Sequence, residues 1–155
     1  MELIPEFQNR LKDLPLLLEQ LLRASPHALT NKSTLPNKPG VYVIAEGENH
    51  LYTGRSKNLR QRMKNHASGR AEQSAFAFRL ARQLSGKTRA TYKKEGSRKE
   101  LMKDQNFIDV MAKCTTRVKN MSVLHVEIED DVTQHMFEVY CALALKTQYN
   151  EFKTS

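Results

Sequence analysis

The stretch Gly40 to His66, GVYVIAEGENHLYTGRSKNLRQRMKNH, decides how the rest of the chain is read. Val41-Tyr42-Val43-Ile44 and His50-Leu51-Tyr52-Thr53 are rich in β-branched and aromatic residues, and the link Glu46-Gly47-Glu48-Asn49 carries turn formers, so this half predicts a β-hairpin. Side chains alternate between the faces of a strand, and one register of such a hairpin puts the phenols of Tyr42 and Tyr52 on the same face.

The other half predicts a helix entered through Gly54-Arg55-Ser56, with Ser56 or Asn58 as N-cap. At about 100° per residue, Leu59, Met63 and Ala67 form an apolar stripe, while Lys57, Arg60 and Lys64 cluster on the far side. Arg62 and His66, four apart, stack at one edge of the stripe, where a cation is held at the rim between core and solvent.

A second informative stretch runs from Gln134 to Leu145, where Glu138 is the only acid. From Met136 to Leu145 every other residue is apolar or tyrosine, so the helix is expected to be largely buried, with Asp131 and Gln134 capping it. A carboxylate in such a helix requires a cation or a set of donors. Asn150 follows at the end of Gln148-Tyr149-Asn150.

The order Gly40-Val41-Tyr42, then Tyr52-Thr53-Gly54, then Ser56 through Leu59 to Arg62 and His66 resembles the GIY-YIG nuclease family, with Val41 and Thr53 standing for the isoleucines of its name. Both are β-branched exchanges that a strand accommodates. The arrangement of Glu138 and Asn150 is similar to the end of that family's catalytic domain. The resemblance implies an α+β fold, a small three-stranded, mainly antiparallel sheet flanked by helices. It covers about residues 36–85 and 121–152 and implies a metal-dependent endonuclease that hydrolyses phosphodiester bonds, with DNA favoured over RNA.

In that family reading Glu138 holds one divalent cation per site, Mg²⁺ or Mn²⁺. Tyr42 is the general base or water-orienting group, although a free phenol near pKa ~10 needs help to ionise. Arg62 binds the scissile phosphate and meets the extra charge of the transition state. His66 orients Tyr42 or passes a proton, Tyr52 binds phosphate or braces the constellation, and Asn150 is a positioning residue. The alternative within the same fold is a nucleic-acid-binding module with a weak or lost active site.

The remainder of the 155-residue chain suits a single domain: a helical extension over 1–35, a nuclease-like unit over 36–152, and a basic loop and helix inserted at about 86–120. A net charge of +8 and a sequence pI near 9.6 favour an anionic partner, nucleic acid before an acidic membrane surface. No run approaches the ~18 apolar residues of a membrane span, and a cytoplasmic protein is expected. Cys114 and Cys141 have no metal-ligand spacing and read as reduced, buried small hydrophobes.

Residues 3–23 show helical spacing at Phe7, Leu11, Leu14, Leu18, Leu21 and Leu22, with Pro15 requiring a helix restart after Asp13. This stripe packs on the home core or serves self-association. Residues 25–39, with three prolines, read as a loop. Gln73 to Leu84 predicts a helix with Phe76, Ala77, Leu80 and Leu84 inward and Arg79 and Arg82 outward.

KTRATYKKEGSRK, Lys87 to Lys99, carries six basic residues and one acid. It is a solvated linker or an electrostatic contact for a polyanion, with Tyr92 available to stack on a base. Arg55, Lys57, Arg60, Lys64, Lys87, Arg89, Lys93, Lys94 and Arg98 are the nucleic-acid contacts expected. Ser97 and Glu100 form a capping box before a helix patterned on Leu101, Ile108, Met111, Cys114 or Thr115, and Val118, and Ser122 to Glu129 alternates as the third strand.

Overall fold

The computed structural model describes residues 1–30, 34–87 and 96–152. Arg89, Tyr92, Lys93 and Lys94 therefore lie outside the described residues. The architecture is α+β, a four-stranded antiparallel sheet flanked by helices. The strands are β1 (His27–Ala28), β2 (Gly40–Glu46), β3 (Asn49–Ser56) and β4 (Ser122–Glu127), in the spatial order β1-β4-β2-β3. The helices are α1 (Pro5–Arg23), α2 (Leu59–Ala67), α3 (Ala75–Leu84), α4 (Arg98–Leu101), α5 (Gln105–Lys119) and α6 (Asp131–Leu145).

Strand β2 lies between β4 and β3 and is buried on both faces, which its unbroken Val41-Tyr42-Val43-Ile44 run requires. Tyr42 and Ile44 belong to a core shared with α2, α3 and α5, built from Leu59, Met63, Phe76, Leu80, Phe107 and Met111. Val41 and Val43 face the other way, into a second core with Leu124, Val126, Leu14, Leu21, Phe137 and Cys141 from β4, α1 and α6. The sheet thus separates two helical layers.

Several sequence expectations are corrected. The sheet has four strands, because the chain leaving α1 runs beside β4 and pairs His27 with Val123. Helix α1 does not restart at Pro15: that residue is solvent-facing, so the carbonyl it leaves unpaired can bond to water. The helix expected after Ser97 is split. Ser97 accepts from the Glu100 amide to open α4, but Asp104 accepts from the Asn106 amide and opens α5 afresh.

The N-cap of α2 is Asn58, which accepts from the Gln61 amide, while Ser56 braces the Asn58 backbone. For α6 it is Asp130, which accepts from the amide and hydroxyl of Thr133; Asp131 lies in the first turn and buried Gln134 donates to the Ile128 carbonyl. Helix α6 is buried on one side only, with Val132, Val139 and Leu143 exposed, because α1 and the sheet do not surround it. Leu84, at the last position of α3, is also exposed. Both cysteines are free and buried. Among the described residues, no helix is long and apolar enough to cross a membrane.

Candidate active site

The hairpin register fixes the first two side chains. Tyr42 pairs with Gly54 and Ile44 with Tyr52, so both phenols emerge on the α2 side of the sheet, with ring centroids 6.4 Å apart. The Tyr42 side chain reaches outward across β3 at Gly54. A β-carbon built on Gly54 would lie 2.3 Å from the Tyr42 hydroxyl and 2.5 Å from its ring carbon Cζ, so only glycine lets the phenol cross. On Gly40 a β-carbon would lie 2.1 Å from the Val126 carbonyl oxygen, which is the close approach that joins β2 to β4 there. Gly54 and Gly40 are thus packing requirements, one of the site and the other of the sheet beneath it.

Helix α2 brings the next two groups. Arg62 Nε donates to the Tyr42 oxygen at 3.1 Å, and His66 Nε2 lies 2.7 Å from the same oxygen. His66 is fully buried rather than at the rim, because its ring packs edge-on against both Tyr42 and Tyr52 at 5.5 and 5.9 Å between centroids. Its Nδ1 is buried without a partner among the described residues. An orphaned N–H is rarer and costlier than an orphaned lone pair, so the proton belongs on Nε2, and His66 donates to Tyr42.

Electrostatics follow from burial. Desolvation pushes the Tyr42 phenol well above its ordinary value, with Tyr52 adding to the rise and Arg62 opposing it. Burial, reinforced by the charge of Arg62, lowers His66 to about 3, so the imidazole is neutral at any working pH. Burial also opposes the charge on Arg62, but the oxygens of Tyr42 and Tyr52 outweigh it and its net shift is upward.

Glu138 approaches from α6. Its carboxylate accepts from Arg55 Nε at 3.2 Å and is close enough to Tyr42 and Arg62 for their charges to interact. Desolvation raises it, and Arg55 is the main counterweight. Arg55 alternates with Gly54 along β3, so the residue beside the gap that Tyr42 crosses is the one that reaches Glu138.

Among the described residues, no three His, Cys, Asp or Glu side chains gather into a set that could hold a metal by themselves. Glu138 therefore fits only a cation that takes its other ligands from water and phosphate, which is how Mg²⁺ is ordinarily held.

Asn150 does not enter this cluster. Lys146, in the left-handed conformation at φ 52°, ends α6 and turns the chain back along β3. There the Asn150 amide works as a surrogate strand residue: Oδ1 accepts from the Thr53 amide at 2.8 Å, and Nδ2 donates to the Thr53 carbonyl at 2.7 Å. Thr147 Oγ1 donates to Oδ1 at 2.7 Å, and the Tyr149 amide donates to the Leu51 carbonyl. The free edge of β3 is closed between the two residues, Tyr52 and Gly54, that shape the site.

Of the other expected nucleic-acid contacts, Lys57 and Lys64 are exposed. Arg60 Nε is committed to the Leu35 carbonyl, and Lys87 lies 3.7 Å from Asp104. Arg98 lies over the Phe78 ring. Sequence reasoning missed Arg79. Rather than pointing to solvent, it is half-buried, lies 5.9 Å above the Tyr52 ring and donates to the Tyr149 carbonyl. The available signal was Phe76, one helical turn earlier, which stacks on Tyr52 and carries Arg79 with it.

The family model for the GIY-YIG catalytic domain matches residues 38–150. The chain is also similar to the UvrABC system protein C of Thermosipho africanus (strain TCF52B), 41% identical over 49 residues, which is 30% of this chain and 9% of that protein. The chain thus spans less than a tenth of that relative. No solved structure matches it. With the match covering most of its length and the hairpin, arginine and histidine in place, the chain belongs to the GIY-YIG catalytic domain family.

Proposed function

We propose that this protein is an endonuclease that hydrolyses phosphodiester bonds in nucleic acid, DNA first, with one Mg²⁺ or Mn²⁺ per site held by Glu138. The observation that carries the reading is the convergence of two nitrogens on the Tyr42 oxygen, Arg62 Nε donating at 3.1 Å on one side and His66 Nε2 hydrogen-bonded at 2.7 Å on the other. A donor on the phenolic oxygen favours its anionic form, and the charge and hydrogen bond of Arg62 offset part of the burial that holds the free phenol protonated. In this reading the Tyr42 phenolate accepts a hydrogen bond from the attacking water and takes its proton as the new bond to phosphorus forms and the bond to the departing oxygen breaks.

Arg62 retains guanidinium N–H groups beyond the one given to Tyr42, and these meet the scissile phosphate as negative charge grows on it. His66, neutral, keeps the phenol aimed. Tyr52 supports His66 edge-on and stacks on Phe76, and Asn150 holds the strand between them. The cation, when bound, supplies charge for the departing oxygen.

A second reading, a binding module that does not cut, is favoured by one observation: Arg55 occupies the Glu138 carboxylate at 3.2 Å. The test is a gel assay of the purified protein with Mg²⁺ on labelled duplex, single-stranded and branched DNA, and on RNA. Cleavage that EDTA abolishes supports the nuclease. Salt-sensitive binding with no cleavage of any substrate supports the module.

A further inference from the structure

Elsewhere in this chain, arginines beside carboxylates are paired with them. Arg10 bridges Asp130 and Glu6, Arg55 meets Glu138, Arg117 clasps Glu46 through two nitrogens, and Arg23 pairs with Glu19. The α3 side of the molecule carries arginines without such a partner. Arg79, Arg82 and Arg98 have no carboxylate within 4 Å among the described residues.

Each is held against an aromatic ring instead. Arg79 lies over Tyr52 at 5.9 Å, while Arg82 and Arg98 lie over the same Phe78 ring at 4.9 and 4.7 Å. Backbone carbonyls fix two of them: Arg79 donates to Tyr149, and Arg82 to Gly96 and Lys87. Two guanidinium groups on one ring repel, and burial together with the charge of Arg98 lowers Arg82. Rings and carbonyls satisfy the flat faces and some N–H groups of these cations but neutralise none of them. Guanidinium groups held on rings and carbonyls, with no carboxylate partner among the described residues, are pre-organised for a polyanion.

The cluster is continuous with the site already described. Arg62 and Arg79 flank Tyr52, and Arg79 and Arg82, three apart on α3, follow each other along one side of the helix. We propose that Arg79, Arg82 and Arg98 form a phosphate track that leads away from the Tyr52–Arg62 end of the site and holds the backbone of the nucleic-acid strand beyond the scissile bond. The track contacts phosphate and not base edges, so it adds affinity without sequence choice. This proposal rests on the nuclease reading and extends it by naming how the substrate strand leaves the site.

The test measures binding of a fluorescent 20-nucleotide single strand and its duplex by anisotropy from 50 to 300 mM salt, in EDTA so that nothing is cut. Arg82→Gln with Arg98→Gln is expected to lower the slope of log K against log salt by roughly 1.4–1.8, two phosphate contacts at about 0.7–0.9 each. Because Arg82 also anchors Gly96 and Lys87, Arg98→Gln is measured alone, with an expected loss of about 0.7–0.9, and Arg98→Lys is expected to retain most of the slope.

Arg23→Gln, at the end of α1, is the control for net charge. A folded Arg98→Gln with the wild-type slope overturns the track, and so does an equal loss in Arg23→Gln. A loss of binding to acidic phospholipid vesicles with nucleic-acid binding intact overturns it as well. If the wild-type protein itself binds no nucleic acid in a salt-dependent way, the nuclease reading falls with it; if the wild type binds and cuts but the variants match it, only the track falls.

Discussion

The Tyr42 hydroxyl lies over Gly54 so closely that a β-carbon at that position would sit 2.3 Å from it. The phenol crosses the edge strand through the space where a side chain would be, and there it meets Arg62 and His66. The two residues are cross-strand partners, so sheet register and site geometry are one constraint.

Gly54→Ala is accordingly expected to destabilise the fold by roughly 1–3 kcal/mol, since buried Tyr42 has no free space to retreat into, and to abolish cleavage. Urea denaturation measures the first effect and the gel assay the second. A variant with wild-type stability would mean that the phenol does not cross β3 as described.

Asn150→Ala removes both hydrogen bonds to Thr53 and leaves a partly buried strand edge open. The expected loss is ~1–3 kcal/mol, with a fall in cleavage rate and little change in substrate affinity, because Asn150 touches the strand and not the site. Amide hydrogen exchange at Thr53 reads the same contact directly: its protection is expected to drop selectively. Unchanged protection would remove Asn150 from its positioning role.

His66 makes stability depend on pH. Its folded value of about 3 lies below the ordinary 6.5, so between those limits the unfolded chain binds a proton that the folded one does not. The contribution is complete above pH 6.5 and is lost as pH falls toward 3. His66→Gln is expected to flatten this limb, which is read as the difference between wild-type and variant unfolding curves from pH 7 to 4. Parallel pH profiles would show that His66 is not held neutral.

The hairpin and the placement of Arg62 were legible because alternation and helical spacing are local rules, and the register they favour is the one found. A helical wheel puts His66 at the rim because it cannot show that tyrosines from two strands cover it. Helical spacing turns Arg79 to solvent for the same reason: the ring beneath it belongs to β3. The Arg55–Glu138 pair joins residues 83 positions apart, and no local pattern marks it. Pro15 misled because the rule against proline assumes that the freed carbonyl is buried.

If Glu138 holds the cation on which cleavage depends, Glu138→Gln removes that cation's protein ligand. Glutamine keeps nearly the same volume in α6, and Arg55, which is 38% exposed, can turn to water when its partner loses its charge. The measurement is the single-turnover cleavage rate of the variant at saturating nucleic acid across a Mg²⁺ titration, beside its anisotropy binding curve. The expected result is a folded protein that binds substrate at least as tightly as the wild type and cuts it slower by orders of magnitude at every Mg²⁺ concentration. Cleavage at the wild-type rate would contradict it and leave Glu138 as the structural partner of Arg55.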